Sequence, residues 1–504
     1  MPLTDDINEL IEHETTQAQL MLRRLTEEMP KSVDAHYLLG ISHLRRLEFG
    51  PARAAFLDVL KLDPKHNDAL RNAAFCLLAS GDYEGALEGF QHALKMTANA
   101  GSMRHVALLL HRLSRTQEAV KTYERLLSVC QPTSPEIPIA LQGLAFALRD
   151  AGRPIAADQV MLQLIERFRR EPVAISSGLI ARNNSDDFHE WSPYADKAQL
   201  AAVLTARAAK DPGGRFPETF VLPKDRAALE AFAKRKDAPA LYIVKPIRGS
   251  GGQGIRVTAD IKGELDAEDV VVQRYIDRPF LIEGHKGHCR IYCLVTSASP
   301  LRAYVYSEGI VRIAPEPYDS DPAKAAGPSM HVTNTALHLG HPGLNVSTDA
   351  SQDDVGSIRS LSALLRRMTA EGIDGERVFA EIKALVEWHV RMLAAEGLFV
   401  RQAAGRPARA FPPKLFGLDV LVDAEGHPWL IEMQRTPAAK GAALVEKINL
   451  EMYRTVFHMA HAPLIDDATP ADRVQALRSD DAARREREAE IEMANRGKFV
   501  PLDL

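Results

Sequence analysis

Cysteine is scarce in this 504-residue chain, with four in all, and none sits in a metal-binding spacing. The nearest pair, Cys289 and Cys293, lies inside an apolar, strand-like run. Four residues along a strand span about 13 Å, beyond disulfide reach. The expectation is buried free thiols in a reducing, cytoplasmic setting, which excludes a disulfide scaffold and a thiolate metal centre. Long apolar runs are missing too. No window approaches about eighteen consecutive apolar residues, and MPLTDDINEL lacks a basic stretch leading into an apolar one. The reading is a soluble chain with no membrane partner. Nor is there a strong charge of one sign, since 62 Lys and Arg oppose 67 Asp and Glu for a net −5. Nothing in that balance points to nucleic acid. What is present is a 46% hydrophobic composition and a length suited to roughly two to four domains.

The first 170 residues repeat with a period near 34. Ala52 and Phe56 recur as Ala86 and Phe90, 34 positions on, and again as Ala119 and Tyr123, 33 further. After an insertion containing Pro132, Pro135 and Pro138 the pattern returns weakly around Gly152, Ala157 and Met161. Small residues where two amphipathic helices would cross, with an aromatic in the packing core, resemble tetratricopeptide (TPR) repeats. Such units must stack to bury a continuous face. Residues 1–170 are therefore expected to be an all-α array that docks a protein or peptide. Residues 171–194, with the polar stretch ARNNSDDFHEW, are expected to be a linker.

From residue 195 the texture changes to strands, glycine-rich turns and isolated polar residues. In LYIVKPIRGSGGQGIRV, Gly249, Gly251 and Gly254 satisfy G-x-G-x-x-G. The β-type run Ile255–Thr258 follows, however, where a dinucleotide loop would open a helix. Strand, glycine turn, strand is a hairpin whose backbone N–H groups can close over phosphates, with Lys245 at the end of its first strand. Val270–Val272 leads into Gln273-Arg274-Tyr275-Ile276, a segment able to offer backbone groups to a base edge. Two more strands are read around Arg290 and from Leu301, with Glu308-Gly309 as a turn before Arg312. In FGLDVLVDAEGHPWLIEMQ, alternation places Glu432 and Gln434 on one strand face, and Asp419 of the partner strand can share it. Two carboxylates and an amide oxygen there suit Mg²⁺.

Taken together, FPETFVLP (216–223), IVKP with its glycine turn, QRYIDRPFLIEGHK (273–286), EGIVR (308–312), HVTN (331–334) and GLDVLVD…PWLIEMQ (417–434) resemble the tubulin-tyrosine-ligase-like family, in its order, over roughly 195–460. The resemblance implies a multidomain chain in which the TPR-like array precedes an α+β ATP-grasp domain at 195–465. It implies that ATP phosphorylates a carboxylate and that an amino acid of the Tyr, Glu or Gly class then attacks to form an amide. It implies nucleotide contacts from Lys197, Lys245, Gly251, Gly252, Gly254, Gln273, Arg274, Tyr275, Ile276, Lys286, His331, Thr333 and Asn334. Arg290 and Arg312, with Lys286, would be catalytic, and Asp419, Glu432 and Gln434 would hold Mg²⁺. Two positions depart from the family: His288 stands where it carries Asp, and Gln434 where it carries Asn. They motivate a second reading, a non-catalytic nucleotide-binding scaffold. Residues 343–360 and 400–412 read as active-site flaps, and 466–504 as a solvated charged helix or tail.

Overall fold

The computed structural model describes residues 16–46, 48–186, 196–208, 215–247, 252, 254–321, 328–399, 413–434, 441–466 and 468–504. Its first part is a stack of helices: α1 (Thr16–Glu28), α2 (Val33–Arg45), α3 (Phe49–Leu62), α4 (Asn67–Ala79), α5 (Tyr83–Met96), α6 (Ala100–Arg112), α7 (Thr116–Val129), α8 (Glu136–Asp150), α9 (Pro154–Arg170) and α10 (Pro172–Asp186). Side-chain caps set several starts: Ser32 accepts from the Ala35 N–H, Asp82 from Gly85 and Asn99 from Ser102. The repeating residues behave as the period requires. Ala52, Phe56, Ala86, Phe90, Ala119, Tyr123, Ala157 and Met161 are all buried on the second helix of each pair.

The expected linker is half helix. In α10, Ser176, Leu179, Ile180 and Asn183 are buried at i, i+3, i+4 and i+7, one continuous stripe. Two of those four are polar, which hid the periodicity; residues 187–195 lie outside the described part. The stack also packs on a helix far along the chain, α15 (Ala443–His461). Phe168 stacks on Phe457 with ring centroids 3.8 Å apart, Gln142 Nε2 meets His461 Nε2 at 2.7 Å, and Asp158 accepts the N–H groups of Leu464 and Ile465.

Beyond the repeats come α11 (Lys197–Ala208) and two antiparallel sheets. The smaller has the order β1-β4-β2-β3, built from β1 (Thr219–Leu222), β2 (Tyr242–Pro246), β3 (Arg256–Thr258) and β4 (Val270–Arg274). It packs α12 (Arg226–Ala233) through Leu229 and Phe232. The larger runs β10-β9-β6-β7-β11, with β5 (Leu281–Ile282) on β6 and β8 (Ile358–Ser360) on β7. Its strands are β6 (His285–Ala298), β7 (Leu301–Ile313), β9 (Lys414–Val422), β10 (Pro428–Gln434) and β11 (Phe499–Pro501).

Both faces of the large sheet are covered, so β6 is apolar on both sides. Ile291, Cys293 and Val295 pack under α13 (Leu361–Ala370) and α14 (Gly375–Ala395), while Tyr292 and Leu294 pack under α15. Continuing the α15-side face by two-residue steps, β6 places Arg290 and His288, β7 places Arg312 after Ile310, and β9 places Asp419 after Leu415 and Gly417. One sheet face is thus greasy under a helix and polar beyond its end.

Three expectations change here. Glu308 and Gly309 lie within β7 and form no turn; a Cβ at Gly309 would stand 2.6 Å from the Arg290 carbonyl oxygen, so the glycine marks close strand approach. Cys130 is only partly buried, while Cys76, Cys289 and Cys293 are buried and free. The charged segment after 466 is not a solvated extension. It forms α16 (Ala471–Ser479), α17 (Asp481–Asn495) and β11, which pairs with β7. Glu492 is 4% exposed, takes Arg302 at 2.8 and 2.9 Å, and accepts from Thr296 and Tyr304. No helix among the described residues is long and apolar enough to cross a membrane.

Candidate functional site

The cleft lies between the two sheets and opens to solvent. From the small sheet come Ile243, Lys245 and Ile255, and from β4 and its exit Gln273, Arg274, Tyr275 and Ile276. From the large sheet come Lys286, His288, Asp419, Leu421, Ile431 and Glu432, and the 331–334 segment closes it with His331, Val332, Thr333 and Asn334. Most of the expected nucleotide-contacting residues are therefore brought together. Gly251 lies outside the described residues. Gly252 has a φ of +88°, and a Cβ there would fall 2.6 Å from Asn334 Nδ2 and from Leu337, so Gly252 lies close against that segment. Gly254 also has positive φ, +72°.

The cations are the unusual part. Lys245 is 6% exposed and donates to Gln273 Oε1 at 2.9 Å; Lys286, equally buried, donates to the Tyr275 hydroxyl at 2.8 Å. Neither has a hydrogen-bonded carboxylate among the described residues. Burial pushes Lys286 down to about 7, with the Lys245 charge adding to it. Burial pushes Lys245 down to about 8, partly offset by Glu432. Tyr275 also meets His331 Nδ1 at 2.8 Å. Burial, reinforced by Lys286, holds His331 down at about 4, so its imidazole is neutral at pH 7.

The carboxylates come from β9 and β10. A bulge between Leu430 and Glu432 shifts the register by one residue, so that Glu432 stands directly opposite Asp419. Without it Ile431 would take that place. Burial and the Asp419 charge raise the Glu432 carboxyl above its ordinary range. Burial would also raise Asp419, but Arg290, donating to both its oxygens at 2.7 and 2.8 Å, holds it low. Arg312, paired in register with His288, is pulled below its ordinary value by burial and then by the Arg290 charge. No ion pair to Arg312 forms among the described residues.

Several expected residues do not line the cleft. Arg290 stands beside Asp419 and Arg312 beside His288, each as a cross-strand partner on the same sheet face. Lys197, at the start of α11, stands close enough for its charge to lower both Glu432 and Lys245. Gln434 sits opposite Gly417, two residues beyond Glu432. The Arg274 side chain turns outward to Glu218 and the Asp237 carbonyl, leaving its backbone at the cleft. His288, with Nδ1 on Thr333 Oγ1, is held by burial at about 4, so it brings no charge to the position where the family carries Asp.

These donors fit Mg²⁺ with ATP. Mg²⁺ commonly takes one or two protein carboxylates and completes its shell with phosphate oxygens and water. Asp419 and Glu432 would supply the carboxylates; among the described residues no group of three or more His, Cys, Asp or Glu is assembled. Two buried lysines beside them, without a hydrogen-bonded carboxylate among the described residues, suit polyphosphate. The apolar residues Ile243, Ile255, Leu421 and Ile431 also line the cleft; of these, alternation along β9 from Asp419 marks Leu421, two residues on and on the same face.

Residues 155–470 match the family model described as Tubulin-tyrosine ligase family, and residues 37–102 and 77–137 match Tetratricopeptide repeat. The chain is 34% identical over 277 residues to "Tubulin polyglutamylase ttll-5" of Caenorhabditis elegans, covering 51% of this chain and 37% of that protein. It is 32% identical over 245 residues to "Tubulin polyglutamylase TTLL5" of Homo sapiens, covering 48% and 19%. It is 31% identical over 252 residues to "Tubulin polyglutamylase TTLL13" of Mus musculus, covering 47% and 30%. The chain thus spans well under half the length of these relatives.

Proposed function

The chain belongs to the tubulin-tyrosine ligase family, and from that premise we propose that it is an ATP-dependent carboxylate–amine ligase. The observation that carries this reading is the pair of buried lysines, Lys245 and Lys286, with no hydrogen-bonded carboxylate among the described residues, sharing one cleft with the cross-strand carboxylates Asp419 and Glu432. Lys245 and Lys286, with Lys197 nearby, neutralise the triphosphate. Tyr275, Ile276 and the backbone of Arg274 line the base slot, and His331, Thr333 and Asn334 lie about the ribose and phosphates. Asp419 and Glu432, joined by Gln434, would hold Mg²⁺, which supplies charge neutralisation between phosphates when bound. Burial strengthens each of these interactions and leaves little to reorganise during transfer.

In the proposed reaction an acceptor carboxylate oxygen takes the γ-phosphoryl group of ATP, releasing ADP. The amino acid's amine then attacks the acyl carbon, and inorganic phosphate leaves with the C–O electron pair. Arg312, a half-buried cation without an ion-pair partner among the described residues, would hold a substrate carboxylate from the sheet face beside His288. Because the named relatives are polyglutamylases, glutamate is the amino acid we propose among the Tyr, Glu and Gly classes. The acceptor we propose is a protein or peptide recruited by the TPR repeats, in a cytoplasmic setting. The test is ATP-dependent incorporation of labelled glutamate into captured proteins. Incorporation lost in Glu432→Gln supports the reading, and absence of nucleotide turnover with any amino acid and acceptor counts against it.

One observation favours the second reading, a nucleotide-binding scaffold without turnover: both oxygens of Asp419 are already taken by Arg290. Calorimetry separates the two, since Mg-ATP binding with no ADP released in the presence of acceptor and amino acid would select the scaffold.

A further inference from the structure

Beneath the base slot, a line of three hydrogen bonds runs from a backbone carbonyl to Lys245. Thr219 Oγ1 donates to the Pro217 carbonyl at 2.7 Å, Gln273 Nε2 donates to Thr219 Oγ1 at 2.8 Å, and Lys245 Nζ donates to Gln273 Oε1 at 2.9 Å. Thr219 and Gln273 are cross-strand partners on β1 and β4, and their exposures are 6% and 3%. The order of donors along this line has one solution. A peptide carbonyl only accepts, so the single threonine proton points at Pro217. The threonine oxygen is then an acceptor, and the group facing it must be the amide NH₂. That leaves the Gln273 oxygen toward Lys245 and the cleft, with a second lone pair available.

We infer that Thr219 is a positioning residue whose hydroxyl locks the polarity of the Gln273 amide, so that the cleft presents an acceptor to the base and selects a 6-amino purine over a 6-oxo purine. This rests on the proposed nucleotide site and deepens it. The adenine amine donates to the free lone pair of Gln273 Oε1. A hypoxanthine or guanine oxygen at that place meets another oxygen. Amide rotation would relieve that clash, but it would turn the amide oxygen to the threonine oxygen and the NH₂ to the lysine. The lock also spares Lys245 from sole responsibility for the orientation: when Lys245 turns to phosphate, Thr219 still holds the amide.

The experiment measures dissociation constants of the full chain for Mg-ATP and for Mg-ITP, whose base differs from adenine in its 6-oxo group, by calorimetry. Thr219→Val keeps the shape and removes the hydroxyl; Thr219→Ser restores it. The wild-type preference for ATP should narrow about tenfold in Thr219→Val, about 1.4 kcal/mol, through both weaker ATP and stronger ITP binding, and return in Thr219→Ser. Thermal unfolding of each variant separates this from loss of fold, and Gln273→Met supplies a second route, since it should abolish the preference. An unchanged ATP-to-ITP ratio in folded Thr219→Val, or a preserved preference in Gln273→Met, overturns the lock while leaving the ATP site standing. Failure of the wild type to bind either nucleotide overturns the site and the lock together.

Discussion

Raising the pH should weaken Mg-ATP binding, because the cleft's lysines are held partly uncharged until phosphate arrives. Lys286 stands near 7 and Lys245 near 8, both below the lysine norm because of burial. A polyphosphate beside them restores the charged form, so binding takes up protons. With full protonation in the complex, uptake is about 0.3 proton at pH 6.5, about 1 at pH 7.5 and about 1.7 at pH 8.5. The sign is fixed: affinity is highest below both values and falls as pH rises through them. Integrated from pH 6.5 to 8.5, the loss is about a hundredfold, or about 2.7 kcal/mol. Calorimetry in buffers of different ionisation enthalpy reads the proton count as a slope. Lys286→Met should cut the uptake at pH 7.5 to about a quarter of a proton or less. A zero slope, or proton release, at pH 7.5 in the wild type would refute the reasoning.

Other expectations follow from the packing and charges. Arg312→Ala should raise the KM for the amino acid roughly ten- to a hundredfold with little change in ATP affinity, as expected for loss of a charged hydrogen bond; steady-state kinetics at varied amino acid and ATP checks it. Glu492→Ala removes the hydrogen-bonded carboxylate of buried Arg302, leaving it Glu488 at 3.8 Å, and should cost about 3 kcal/mol in urea unfolding, where a solvated tail would show almost no change. Phe457→Ala opens the stack on Phe168 and should cost about 3–5 kcal/mol. If the repeats were merely tethered, the same substitution would leave their protection from proteolysis unaltered.

Much of this architecture is legible in the residues because local pattern and burial agree. The 34-residue period falls on side chains that are buried, and Lys-Pro before a glycine turn marks a buried lysine that lines the cleft. Asp419 and Glu432 stood out as carboxylates inside apolar strands. What stayed hidden depends on partners far apart in the chain. The bulge at Ile431 that sets Glu432 against Asp419 leaves no local mark, since Ile is an ordinary strand residue. Thr219 and Gln273 meet across 54 positions, and nothing near either announces the other. The tail misled for a physical reason: alternating Arg and Glu has the composition of a solvated helix, and only Arg302, Thr296 and Tyr304 on the sheet make Glu492 a buried residue. Helix α10 was missed because Ser176 and Asn183 occupy half of its buried stripe.

The proposed chemistry of this cleft is transfer of phosphate from ATP onto a carboxylate. It is tested most directly with a synthetic glutamate-rich peptide carrying ¹⁸O in its carboxylates, incubated with the full chain, Mg-ATP and free glutamate. If amide formation proceeds through an acyl-phosphate, each turnover leaves one peptide ¹⁸O in inorganic phosphate, and Glu432→Gln abolishes both the transfer and the lengthened peptide. Peptide lengthened without ¹⁸O in phosphate, or bound ATP left unhydrolysed with no lengthened peptide under any condition, would contradict it.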